Sequence, residues 1–131
     1  MSSELILKFD FEASHSLAEY EVPHPHLWKL EISVGGQVIH GKIVDMMAVR
    51  KQVELLIEGL RNTYLNENTF VDESVRMAPT CETLGQFFGL KLRDVFSTVF
   101  IKENPSIHLV SLMVTICTDQ GTEIGGVRLF L

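Results

Sequence analysis

Basic side chains are in short supply: 11 Lys and Arg stand against 17 Asp and Glu, a formal charge of −6 at pH 7. A nucleic-acid groove needs a basic stripe to meet the phosphates, and none is visible, which excludes that class of partner. Cysteine is scarce as well. Cys81 and Cys117 form neither a CxxC pair nor a disulfide framework, so free thiols in a reducing compartment are expected. Apolar runs are interrupted by Lys, Glu or Gly well before the roughly 18 residues of a membrane span. The first residues lack the basic region and long apolar stretch of a secretory signal, so the expected location is the cytoplasm. Repeats and low-complexity tracts are missing too. At 131 residues the chain is expected to form a single domain, 1–131, with enough apolar content for a core of its own.

Against this background three histidines stand out. His24-Pro25-His26 opens an extended run, residues 27–34, and His15 ends an earlier one. Side chains two apart share a face of a strand, so His24 and His26 point the same way as Trp28, Leu30 and Ile32, and His15 follows Phe11 and Ala13. Two neighbouring strands would then bring three imidazoles to one side of a sheet. Three neutral histidines with an open fourth position are the ligand set of a catalytic zinc site. The competing reading leaves the proline-flanked pair in a polar loop and His15 as a strand cap.

In chain order, Leu5, Leu7, Phe9 and Phe11 alternate with Lys8, Asp10 and Glu12, which predicts a half-buried strand. A second strand is expected over about 26–34. Gly35-Gly36 suggests a two-residue turn into a third, about 37–44, with Gly41 as a bulge. Asp45 is the expected N-cap of a helix running to about residue 61, with Val49, Val53, Leu56, Ile57 and Leu60 on one face. Residues 62–78 carry no strong period and read as a long polar connection pinned by Phe70 and Val71. Thr80 caps the next helix, with Glu82 in its first turn and an apolar stripe through Leu84, Phe88, Leu92, Val95 and Val99. Strands over 108–117 and 127–131 complete the order β-β-β-α-α-β-β. That order predicts an α+β fold, an antiparallel sheet with two helices packed on one face. The first and last strands remain as edges, which favours pairing with further copies of the chain.

These segments resemble the family of 6-pyruvoyl-tetrahydropterin synthase and 6-carboxy-tetrahydropterin synthase, tunnelling-fold enzymes acting on dihydroneopterin triphosphate. Phe11-Glu-Ala-Ser-His15 is similar to the family's Phe-x-Ala-x-His, and His24-Pro-His26 to its His-Gly-His followed by a strand. Gly41-Lys-Ile-Val-Asp45, Leu65-Asn66-Glu67 and Pro79-Thr80-Cys81-Glu82-Thr83-Leu84 are similar to later signatures, in the same order. The resemblance implies that His15, His24 and His26 bind zinc. It also implies a pterin-like ligand and a homo-oligomer, trimer or hexamer, whose sheets join into a barrel with active sites at the subunit interfaces.

The departures concern the acid-base groups. Pro25 replaces a glycine but suits an extended entrance. Tyr20 stands where the family has its catalytic cysteine, and a tyrosine of ordinary pKa, near 10, is a poor base. Arg61-Asn62 stand where the family has an Asp-His pair, and Thr118 replaces the glutamate that anchors the pterin ring, with Asp119 next to it. Catalytic candidates are therefore Cys81, Glu82 and Tyr20, and substrate-binding candidates are Thr80, Glu82 and Asp119. Cys81 reads either as a thiol activated by the helix N-terminus or as a small core residue. Glu82 reads either as a substrate contact or as a solvated first-turn carboxylate. Two functions follow: a zinc-dependent lyase or isomerase with altered acid-base chemistry, or a catalytically silent zinc-binding oligomer that holds a pterin-like or purine-like ligand or a partner protein.

Overall fold

The computed structural model describes residues 2–18 and 21–131. Four strands, β1 (Glu4–His15), β2 (His24–Gly35), β3 (His108–Cys117) and β4 (Glu123–Phe130), form one antiparallel sheet in the order β1-β2-β3-β4. Three helices, α1 (Met46–Glu58), α2 (Glu73–Met77) and α3 (Cys81–Thr98), lie between β2 and β3 in sequence. The α+β architecture read from the alternation is the one observed.

Alternation decides which face is covered. Leu7, Phe9, Phe11 and Ala13 of β1 and Trp28, Leu30, Ile32 and Val34 of β2 are all buried, and they share a core with Val49, Val53 and Ile57 of α1 and Leu84, Phe88 and Leu92 of α3. Each of the Val, Leu, Ile and Phe side chains among them contributes about 1.5–3 kcal/mol relative to exposure. The opposite face is polar and laced with cross-strand ion pairs. Glu31 lies 3.8 Å from both Lys8 and Arg128, and Lys29 lies 3.5 Å from Glu123.

The third strand expected over 37–44 does not form. His40 and Gly41 take positive φ, 52° and 84°, and make a two-residue turn closed by a lone bridge between Ile39 and Lys42. Gly41 is thus the tip of a tight turn and not a bulge within a strand. The backbone of this excursion is satisfied from elsewhere: the buried Asn104 amide donates to the carbonyls of Gln37 at 2.9 Å and Ile43 at 2.8 Å.

The polar connection 62–78 holds more structure than its composition suggests. It contains a single 3-10 turn, Leu65–Glu67, and the short α2, with Leu65, Val71 and Val75 in the core. Its first residues run beside the end of β1. Asn62 N–H donates to Glu12 O at 2.6 Å, and Ser14 N–H donates to Thr63 O at 2.9 Å. The open part of the β1 edge is therefore its first half, while β4 forms the other edge of the sheet. Among the described residues no helix is long and apolar enough to cross a membrane.

Candidate metal centre

The register of β1 on β2 builds the site. His15, the last residue of β1, pairs with His24, the first of β2, and Ala13 pairs with His26. The three side chains emerge on the helix-covered face, where the helical layer stops short and leaves His24 and His26 half exposed while His15 is buried. Ring centroids stand 4.7 Å (His15–His24), 4.8 Å (His15–His26) and 4.9 Å (His24–His26) apart. One ring nitrogen from each lies within 4.8 Å of the others, the group of potential metal ligands found among the described residues. Trp28 forms the floor. Its Nε1–H donates to Ala13 O at 3.1 Å, and its ring meets that of His15 edge-on at 5.3 Å.

The hydrogen bonds choose the tautomers. A backbone carbonyl can only accept, so a ring nitrogen in contact with one must carry the proton. Nδ1 of His15 donates to Pro79 O at 2.8 Å, Nδ1 of His26 to Cys117 O at 2.8 Å, and Nδ1 of His24 to Val22 O at 3.1 Å. The Nε2 lone pair of each neutral ring is thereby left for a ligand. This is the outer-shell arrangement that orients histidines on a metal. Burial pushes the pKa of His15 below its ordinary value, and the neighbouring His26 and His24 act in the same direction, partly opposed by the bond to Pro79. A ring held neutral is the form that binds a divalent ion. The donor set thus fits zinc, which takes three histidines at roughly 2.0–2.1 Å and keeps a fourth position for water or substrate.

Two further elements converge here, because the carbonyls that hold His15 and His26 belong to the segment before α3 and to the end of β3. Thr80 and Thr83 form a reciprocal cap at the start of α3, with Thr83 N–H donating to Thr80 Oγ1 at 3.2 Å and Thr80 N–H to Thr83 Oγ1 at 3.1 Å. Glu82 follows, exposed in the first turn. Beyond Cys117, the Thr118 hydroxyl accepts from Thr122 N–H at 3.1 Å, and Asp119 is exposed. Thr80, Glu82 and Asp119 are therefore within three residues of a group that touches a histidine.

Cys81 is different. It is the first residue of α3 but only 8% exposed, and burial followed by the adjacent Glu82 raises its pKa to about 11. Burial thus opposes the lowering that a helix N-terminus brings to a thiol, and the surroundings are those of a small core residue. Tyr20 lies outside the described residues. Arg61 is ion-paired to Glu54 at 3.5 Å and Glu58 at 3.2 Å, and Asn62 adopts a positive φ of 59° at the turn after α1. His40 and His108 are exposed and take no part in the trio.

One group escaped the sequence reading. Glu21 Oε1 lies 3.2 Å from Nδ1 of His24, and Oε2 accepts from Leu17 N–H at 3.2 Å. An acidic residue three positions before a candidate ligand was the available signal.

Residues 4–120 match the family model described as 6-pyruvoyl tetrahydropterin synthase. A curated relative, dihydroneopterin monophosphate aldolase of Pyrococcus furiosus, is 25% identical over 95 residues, 71% of this chain and 77% of its own. Among solved structures, the 6-pyruvoyl tetrahydropterin synthase of Caenorhabditis elegans superposes with a TM-score of 0.74 at 15% identity, covering 100% of this chain and 96% of the other. A 6-pyruvoyltetrahydropterin synthase of Plasmodium vivax, solved as a variant with a catalytic glutamate replaced by alanine, gives 0.69 at 13% identity, covering 100% and 99%. At such identities the solved structures establish the likeness of fold alone.

Proposed function

The chain belongs to the 6-pyruvoyl tetrahydropterin synthase family, and from that premise we propose that it is a zinc-dependent lyase acting on the side chain of a dihydropterin. The observation that carries this reading is the commitment of three Nδ1 protons to carbonyl oxygens, which leaves three Nε2 lone pairs for one ion. Zinc bound there supplies Lewis acidity toward a hydroxyl or carbonyl oxygen of the side chain. The name of the Pyrococcus furiosus relative favours an aldol-type cleavage of a dihydroneopterin phosphate over elimination of triphosphate.

The residues of this chain divide the remaining work. His15 stays neutral because it is buried, and so keeps its lone pair at physiological pH. Glu21 shares the Nδ1–H of His24 with Val22 O, on the ring edge opposite Nε2, and so orients that ring and raises its basicity, while Tyr20 and Cys81 fill the role of general base poorly. Thr80, Glu82 and Asp119, on the two converging segments, form the rim that receives the pterin ring. The β4 edge and the open half of the β1 edge pair with other copies, giving a homo-oligomer, trimer or hexamer, readable by light scattering.

The test is to incubate zinc-loaded and chelator-stripped protein with dihydroneopterin monophosphate and triphosphate and to follow the pterin products by chromatography. A pterin with a shortened side chain, formed only by the zinc-loaded protein, is expected, and Glu21→Gln should weaken zinc binding by about 10–100-fold. Formation of 6-pyruvoyl-tetrahydropterin is expected to be absent or very weak. Stoichiometric zinc with no turnover of either compound would overturn the lyase and leave the silent zinc-binding oligomer.

A further inference from the structure

His15 is anchored twice, and only one anchor touches its ring. Pro79 O fixes the imidazole, but the direction of the side chain also depends on how the main chain before and after it is held, at the point where β1 ends. Ser14 N–H donates to Thr63 O at 2.9 Å. On the other side Ser16 N–H donates to Asn66 Oδ1 at 2.9 Å, and Asn66 Nδ2 donates to Ser16 O at 2.8 Å. The Asn66 amide thus behaves as a surrogate peptide, extending the pairing of β1 by one residue. Only one orientation of the amide satisfies both contacts. Ser16 is itself buried, at 6% exposure, and its hydroxyl lies 2.6 Å from the Tyr64 hydroxyl.

The clamp is delivered from a rigid turn, since Leu65, beside Asn66, is 0% exposed in the core. A second asparagine in the same stretch has a different task. Asn68 Nδ2 donates to Gly59 O at 2.8 Å and to Thr63 Oγ1 at 2.9 Å, which fastens the connection to the end of α1 and not to β1.

We propose that Asn66, supported by Tyr64, is a positioning residue for the metal centre: it holds the backbone that aims His15 at the ion. The proposal rests on the zinc reading above and assigns a role outside the ligand set. Outer-shell partners of metal-bound histidines typically account for about 10–100-fold in affinity, and Asn66 acts at one further remove, through the main chain.

The full-length protein, stripped of metal, is titrated with zinc against a chromophoric chelator, and the thermal midpoint of the zinc-free form is measured in parallel. Asn66→Ala should weaken zinc by about 10-fold or more, while its zinc-free midpoint falls no further than that of Asn68→Ala. Asn68→Ala should keep wild-type affinity. Tyr64→Phe, which removes a single hydroxyl, should fold and lose affinity by a smaller factor. Asn66→Ala with wild-type zinc affinity overturns the proposal and makes Asn66 a loop fastener like Asn68. If Asn66→Ala does not fold, Tyr64→Phe decides, and unchanged affinity in that variant overturns it. Failure of the wild type to bind zinc overturns the metal reading and this proposal together, whereas wild-type binding with unaffected variants overturns this one alone.

Discussion

The carbonyl oxygen of Cys117 and Nδ1 of His26 stand 2.8 Å apart across a separation of 91 residues. The last residue of β3 thus sets the tautomer of a ring at the start of β2, as Pro79, 64 residues from His15, does for the first member of the trio. Neither ring can present Nδ1 to an ion without giving up its carbonyl.

His26→Ala should therefore purify with far less than one zinc per chain, since losing a ligand exceeds the roughly 10–100-fold cost of losing an outer-shell partner. His26 is half exposed, so the zinc-free variant should stay folded with a near wild-type midpoint. Elemental analysis beside circular dichroism checks both statements. Stoichiometric zinc in the variant would remove His26 from the ligand set.

Burial of His15 makes the zinc-free protein sensitive to acid. Its folded-state pKa lies below the ordinary 6.5, chiefly through desolvation. Above that value the ring is neutral in both states and contributes no pH dependence. As pH falls below it, the unfolded chain takes up a proton that the folded chain resists, so stability declines until the folded pKa is passed. Urea midpoints should thus hold level above about pH 7 and drop as the solution is acidified. His15→Gln should flatten that decline. An equal slope in wild type and variant would trace the acid sensitivity to other groups.

Cys81 makes an opposite prediction about reactivity. With a pKa of about 11, its thiol is almost entirely protonated at pH 8, and burial limits access as well. Alkylation by iodoacetamide should be slow in the native protein and fast only after unfolding. Cys81→Ala should retain whatever pterin turnover the wild type has. A large loss of kcat with unchanged zinc content would restore the thiol as a catalytic group.

Much of this site was legible because strands have a period of two. Alternation from Leu5 to Phe11 and the shared face of His24, His26 and Trp28 mark the trio in the sequence itself, and the register pairs His15 with His24. The missing third strand was not legible in the same way, because His40 adopts a positive φ that a non-glycine residue rarely takes. Pro79 O and Cys117 O were invisible for another reason. Main-chain acceptors exist at every position, and only the tertiary fold selects the two that meet a histidine. The surrogate peptide of Asn66 shares that origin, although its side chain could be seen in the sequence.

The fit of α3 against β4 gives a prediction of stability that does not depend on metal. Gly85 and Gly89 lie inside the helix, where glycine costs about 0.8–1.0 kcal/mol relative to alanine. A Cβ on Gly89 would meet Leu131 and Leu112 side-chain atoms at 3.5–3.9 Å, an ordinary van der Waals contact. A Cβ on Gly85 would fall 2.5 Å from Leu129 Cδ1 and force that side chain to turn. Gly89→Ala should therefore stabilise the protein by about 0.5–1 kcal/mol. At Gly85 the propensity gain is offset by repacking of the order of 1–3 kcal/mol, so Gly85→Ala should be neutral to destabilising. Denaturant midpoints at constant m-value separate the two. If Gly89→Ala were the more damaging substitution, β4 would have to lie closer to the second glycine than to the first.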